Sequence, residues 1–217
     1  MNFEQARYNM VEQQIRPAEV LDQAVLDLLF VVKREEFVPA VHRRLAFADV
    51  EIPLGHNALM FAPRIEAHAL QALALKKHEN ILEVGTGSGY MAALLGAHAD
   101  HVWSVEIVPQ LAEAAKENLR RAGVTNVSVE TGDGLAGLAG HAPYDVIMLS
   151  GSVTEVPQVL LDQLKPNGRL FAVVGCEPVM QSVLVRREGD VFRTTVLFET
   201  VVPPLCEATV ASQKFVF

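Results

Sequence analysis

The chain has 217 residues, 50% hydrophobic and 20% charged, which is the composition of a folded globular protein with room for one well-cored domain, and it argues against wholesale disorder. A formal net charge of −8 excludes the basic faces that non-specific binding to nucleic acid or an anionic membrane requires. No apolar run approaches the ~20 residues that span a bilayer, and the opening MNFEQARYNMVEQQIRP lacks the apolar centre of a signal peptide, so a cytoplasmic location is expected, with no nucleic-acid or membrane partner.

In chain order, the first 77 residues read as helical. Leu21, Val25, Leu28, Leu29 and Val32 follow the i, i+4, i+7 rhythm of a core-facing stripe. A second stripe, Ile65, Ala69, Ala72 and Leu73, begins after Pro63, a residue suited to the first turn of a helix. The stretch between them, EFVPAVHRRLAFADVEIPLGHNALMFAP, reads as a short helix followed by irregular chain.

From residue 78 strands and helices alternate. ILEV, HVWSVE, NVSVE, YDVIMLS and RLFAVVG read as strands; YMAALLGAH, PQLAEAAKENLRRAG and EVPQVLLDQL read as the helices between them. Strands this apolar on both faces suit a parallel sheet covered by helices. The last part, QSVLVRRE and VFRTTVLFETVV, predicts two β segments turning at Glu188-Gly189-Asp190, an antiparallel edge pair. The expected fold is a single α/β domain over 1–217. A helical, substrate-side segment (1–77) precedes a doubly wound, mostly parallel Rossmann-like core (78–217) with an antiparallel C-terminal edge.

Cys176 and Cys206 lie far apart in apolar company and read as reduced, mostly buried thiols. The histidines show no ligand pattern. His98 and His101 flank a helix–strand turn without a carboxylate or cysteine cluster and read as a surface pair, so no metal is expected.

The chemistry is concentrated in ILEVGTGSGY, where the strand runs into Gly85, Thr86, Gly87, Ser88 and Gly89. In a doubly wound sheet the ligand sits outside the carboxyl ends of the strands, at the point where strand order reverses. A dinucleotide loop would read G-x-G-x-x-G; here the third glycine comes one position early and Tyr90 fills its slot. Glu106, followed by Ile107, closes the second strand at the distance expected of a carboxylate that grips ribose hydroxyls. Asp133, followed by Gly134, comes after the third strand and can accept from an adenine amino group. Acidic groups at three successive strand ends, Glu83, Glu106 and Asp133, would repel a pyrophosphate and suit a cationic nucleoside. S-adenosyl-L-methionine, with a sulfonium, an amine and a free ribose diol, fits best.

ILEVGTGSGY, SVE, TGDG, YDVIM and LKPNGRL together resemble the class I S-adenosylmethionine-dependent methyltransferases. MVEQQIR, VKREEFVP and AFADVEIPLGH are similar to the head segments of the protein-L-isoaspartate O-methyltransferase family, so the likeness runs from about residue 8 to residue 205. The resemblance implies transfer of the cofactor's methyl group to the α-carboxyl of an L-isoaspartyl residue in a damaged protein or peptide, a repair reaction, by a monomer or homodimer. A carboxylate with a reference pKa of about 4 is already ionised at pH 7, so alignment and exclusion of water matter and a general base does not.

The chain departs from that family between Gly55-His56 and Pro63. The resemblance assigns a glutamine, a threonine and a serine to the positions held here by Ala58, Leu59 and Phe61, the serine hydroxyl lying at the substrate carboxylate. Three readings stay open. An isoaspartyl methyltransferase would draw its polar groups from Ser150 and Ser152, with Asp49 retained from the head segment. A methyltransferase for another, more apolar acceptor would use Leu59, Met60 and Phe61 as its wall. A non-catalytic relative would bind S-adenosylmethionine without turnover. Burying a carboxylate against Phe61 without donors costs several kcal/mol, which predicts weak methylation of ordinary isoaspartyl peptides.

Overall fold

The computed structural model describes residues 2–205; Cys206 and the apolar end QKFVF lie outside the described residues. The helices are α1 (Phe3–Met10), α2 (Gln23–Val31), α3 (Pro63–Leu73), α4 (Tyr90–Gly96), α5 (Pro109–Arg121) and α6 (Gln158–Asp162). The strands are β1 (Ile52–Gly55), β2 (Ala58–Met60), β3 (Asn80–Val84), β4 (His101–Glu106), β5 (Val127–Thr131), β6 (Tyr144–Val153), β7 (Leu164–Cys176), β8 (Val179–Glu188) and β9 (Val191–Glu199).

Seven strands form one sheet in the order β5-β4-β3-β6-β7-β8-β9. β3 to β7 run parallel, and β8 is antiparallel to both β7 and β9. The strand order reverses beside β3: the chain leaves it for β4 and β5, then crosses back to lay β6 on its other side. The loop after β3 therefore opens at the switch point, as expected of this architecture.

Alternation along the strands divides the core in two. Ile81, Val146, Met148, Phe171 and Val173 pack with the N-terminal helices, α3 and α4 on one face. Leu82, Ile147, Leu149, Leu170 and Ala172 pack with Leu160 of α6 on the other. Both faces are covered, which explains the nearly unbroken apolar strands.

Local chemistry sets the element ends. Asp22 caps α2 by accepting from the Ala24 amide, so the helix begins after Leu21, which stays 70% exposed and leaves the expected stripe. Pro63 opens α3 as anticipated. The stretch before it, expected to be irregular, instead forms the antiparallel hairpin β1–β2, turning through His56 and Asn57 at φ 53° and 61°. A turn built without the usual glycine pair gave no hairpin signal. Cys176, expected to be mostly buried, is exposed, because it closes β7 at the tight connection into β8. No described helix is long and apolar enough to cross a membrane.

Candidate active site

The loop after β3 is shaped by backbone that favours glycine. Gly85, Gly87 and Gly89 sit at φ 92°, 53° and 84°. A Cβ on Gly85 would lie 2.7 Å from Leu205 Cδ2 and 3.4 Å from the Ser150 carbonyl oxygen, so this backbone must pass bare between two walls. Gly89 serves another purpose: it caps α4, and a Cβ there would press on Ala115 and Leu119 of α5 at 3.3 Å.

Glu106, at the end of β4, is held by two main-chain amides. Gly87 N–H donates to its Oε2 at 2.8 Å and Val108 N–H to its Oε1 at 3.0 Å. Each oxygen keeps a lone pair, so the carboxylate is fixed in direction and still able to accept from a pair of hydroxyls. Asp133 accepts from the Leu135 amide at 3.0 Å and caps the short turn Gly134–Ala136. These residues line an open cleft of about 700 Å³, part of it continuous with solvent, with Val84, Val105, Ile107 and Leu135 as apolar walls. A narrower cavity adjoins it, sharing Leu59, Phe61, Gly85, Gly87 and Ser150 and adding Leu54, Thr86, Ser88 and Glu66.

Glu83 is 0% exposed and touches neither cavity directly. It accepts from Ser104 Oγ at 2.6 Å and from Ser150 Oγ at 2.9 Å, while Thr86 Oγ1 lies 2.5 Å from Ser104 Oγ. Burial pushes its carboxyl up to about 8, against the pull of the two serine hydroxyls.

The family model described as "Protein-L-isoaspartate(D-aspartate) O-methyltransferase (PCMT)" matches residues 5–208. A protein-L-isoaspartate O-methyltransferase of Methanoculleus marisnigri is 44% identical over 188 residues, covering 85% of this chain and 84% of that one. One from Gloeobacter violaceus is 41% identical, with 84% of this chain and 90% of that one covered. The chain belongs to the protein-L-isoaspartate(D-aspartate) O-methyltransferase family. Among solved structures, a protein-L-isoaspartate O-methyltransferase superposes with a TM-score of 0.80 at 25% identity, covering 93% of this chain and 66% of that one. The same fold recurs, with a TM-score of 0.79 at 20% identity over 95% of this chain and 99% of that one, in a Plasmodium falciparum protein titled as a putative member in complex with S-adenosyl-L-homocysteine. The family's cofactor is S-adenosylmethionine and its reaction an O-methylation.

Against that family the expected residues separate into two groups. Gly85, Gly87, Glu106, Ile107, Asp133, Gly134, Ser150 and Phe61 meet in the cleft, and Thr86 and Ser88 line its narrow extension. Ser152 is not brought there: it is buried, donates to the Val202 carbonyl and lines a separate cavity beside Cys176. A strap explains this, since the Ser152 amide donates to Pro203 O and Leu205 N–H donates back to Ser152 O, pinning Ser152 under the chain that follows β9. Asp49 also lies outside the cleft lining. Its carboxylate accepts from Arg64 N–H at 3.3 Å and Arg64 Nε at 3.0 Å, anchoring the first turn of α3.

Sequence reasoning missed His56, Asn57, Val108 and the strap Pro203, Pro204 and Leu205, all of which line the cleft. The strand-end position of Val108, beside Glu106, was a usable signal. The strap carried none, because nothing in VVPPL announces that it doubles back across the sheet. Among the described residues no group of three or more His, Cys, Asp and Glu is placed to hold a metal.

Proposed function

We propose that this protein methylates the carboxyl group of L-isoaspartyl residues in protein or peptide substrates, with S-adenosylmethionine held between the Gly85–Gly89 loop, Glu106 and Asp133. The observation that carries the reading is the Glu106 carboxylate, locked by Gly87 and Val108 amides with two acceptor positions left over. A ribose diol uses both. The free oxygen of Asp133 suits an adenine amino group, and Val84, Val105 and Leu135 suit the faces of the ring. Gly85 has to be bare, because a Cβ there would meet Leu205 Cδ2 at 2.7 Å. When bound, the cofactor supplies a methyl group on a sulfonium with a neutral thioether as leaving group.

The acceptor carboxylate needs a donor, and Ser150 is the hydroxyl that borders both cavities. Its Oγ donates to the buried Glu83 carboxyl at 2.9 Å, which fixes the hydroxyl's place at the border of the two cavities. Leu54, Leu59 and Phe61 contribute apolar walls that exclude water from an anionic nucleophile. The same walls favour a second reading, an acceptor more apolar than an ordinary isoaspartyl peptide.

Radiolabelled methyl transfer to an isoaspartyl peptide and to its aspartyl twin tests the first reading, beside calorimetry with S-adenosylhomocysteine and NAD. The expected result is labelling of the isoaspartyl peptide alone, binding of S-adenosylhomocysteine and none of NAD. Binding without labelling would move the acceptor to the second reading; tight NAD binding would sink both.

A further inference from the structure

The head segment VKREEFVP contributes nothing to the lining of the cleft, yet it holds one of the most completely buried charges in the molecule. Arg34 is 1% exposed, in the short turn Arg34–Glu36. Its Nη2 donates to the Phe61 carbonyl at 2.5 Å, its Nη1 donates to the Glu66 carboxylate, and its guanidinium carbon lies 5.1 Å from the centre of the Tyr90 ring. These three partners sit on three different pieces of the site. Phe61 directly follows β2 and forms the acceptor wall, Glu66 stands in the first turn of α3 and borders the narrow cavity, and Tyr90 opens α4 straight after the glycine loop.

We propose that Arg34 is a positioning residue that fixes the acceptor wall of the cleft against the cofactor loop. The inference rests on the methyltransferase reading given above. A buried ion pair stabilises a fold no better than well-packed apolar side chains of the same size, so fold stability does not by itself require a charge there. What a guanidinium adds is direction. Its planar fork addresses a carboxylate and a carbonyl at once while its face lies on an aromatic ring, a combination an ammonium cannot reproduce. The turn that carries it is itself braced, because the neighbouring Glu35 pairs with buried Arg7 and Phe37 packs on Tyr90 with ring centres 5.4 Å apart.

The test is Arg34→Lys, which keeps the charge and loses the fork, measured for cofactor affinity by calorimetry, for KM and kcat with the isoaspartyl peptide, and for amide exchange over residues 52–60. The expected result is an S-adenosylhomocysteine affinity within about twofold of the natural protein and a fall in kcat/KM for the peptide on the order of tenfold, as for loss of a charged hydrogen bond, with faster exchange in the hairpin. Natural kinetics together with unchanged hairpin exchange would overturn the proposal. So would an equal fall in cofactor and acceptor affinity, which would mark a merely structural role. If the lysine variant does not fold, Glu66→Gln, which weakens the grip on Nη1 and leaves the fork, decides on the same three readouts with a smaller effect in the same direction. A natural protein that binds S-adenosylhomocysteine but does not methylate the peptide would refute the functional reading alone; the exchange measurement would still decide the role of Arg34.

Discussion

The two sides of the cleft are built on opposite principles. The proposed cofactor side uses main chain and strand-end carboxylates: three glycines at positive φ, and a Glu106 whose two oxygens are each held by a backbone amide two or three residues past a strand end. The proposed acceptor side uses a small hairpin and the residue after it: Leu54, Leu59 and Phe61 line the narrow cavity with apolar groups, and Arg34 holds the Phe61 carbonyl from outside. A site made of backbone and carboxylates tolerates little change, because the ligand's hydroxyls and ring do not vary. A wall made of side chains on a hairpin can be rewritten without disturbing the sheet behind it. Phe61 on such a wall, at the position where the resemblance assigns a serine, is the outcome expected of that division.

The change that most directly breaks the comparison is Phe61→Ser. Phe61 is 5% exposed and belongs to the main core cluster as well as to the cleft. Truncating it should cost about 3–5 kcal/mol of stability, the usual scale for a large aromatic lost from a core, read by urea unfolding. If the wall alone limits the reaction, isoaspartyl turnover should nonetheless rise, and rise further when Ala58→Gln and Leu59→Thr accompany it. A stable Phe61→Ser variant would mean the ring is not part of the core at all.

A smaller effect is expected where the two sides meet, at Glu83. Its carboxyl titrates near 8 in the folded protein and near 4.5 when unfolded, so the folded state holds the extra proton between those values. By linkage that stabilising contribution is complete below pH 4.5 and is lost as pH rises through 8. One such group contributes up to about 1.4 kcal/mol per pH unit, hence about 2–3 kcal/mol between pH 5.5 and 7.5. Glu83→Gln, which keeps the shape and cannot ionise, should remove that slope when unfolding is measured at both values. Parallel pH profiles for the two proteins would show that Glu83 is ionised throughout.

On the cofactor side, Glu106→Ala removes the acceptor for two amides and, under the proposed reading, for two ribose hydroxyls. A loss of about 1.5–3 kcal/mol, roughly ten- to a hundredfold in S-adenosylhomocysteine affinity, should appear in calorimetry with the fold intact. Unchanged affinity would place the nucleoside elsewhere.

How much of this was legible follows the same division. The parallel strands, the switch-point loop and Glu106 could be read because their signals are local: apolar runs, glycine spacing, a carboxylate at a strand end. The hairpin β1–β2 reads in sequence as irregular chain, since its turn uses His56 and Asn57 and its strands are four and three residues long. The ion pairs Arg7–Glu35 and Arg34–Glu66 join residues 28 and 32 positions apart, a pairing no periodicity encodes. Ser150 and Ser152 are two positions apart in sequence and share one expected role. A bulge in the β6–β7 register between Met148 and Ser152, and the strap that covers Ser152, send them to different cavities.

The smallest expected effect concerns Asp49, which the family resemblance placed among the site residues. In the structure its carboxylate meets Arg64 on a surface where the two side chains are 32% and 43% exposed. Pairs of this kind contribute about 0.2–1 kcal/mol, because solvent screens the charges and both side chains lose freedom in meeting. The amide of Arg64, a donor at the exposed start of α3, finds water when the carboxylate is gone. Asp49→Asn retains an oxygen for that amide, so the shift should lie near the low end, about 0.5 kcal/mol in urea unfolding, with kcat for the isoaspartyl peptide changed by less than about twofold, as that energy implies. A residue that touched the reacting carboxylate would instead reduce kcat by orders of magnitude with no change in stability. That second pattern would return Asp49 to the active site and show that the α3 end, with its Arg64 anchor, moves toward the cleft when substrate is bound.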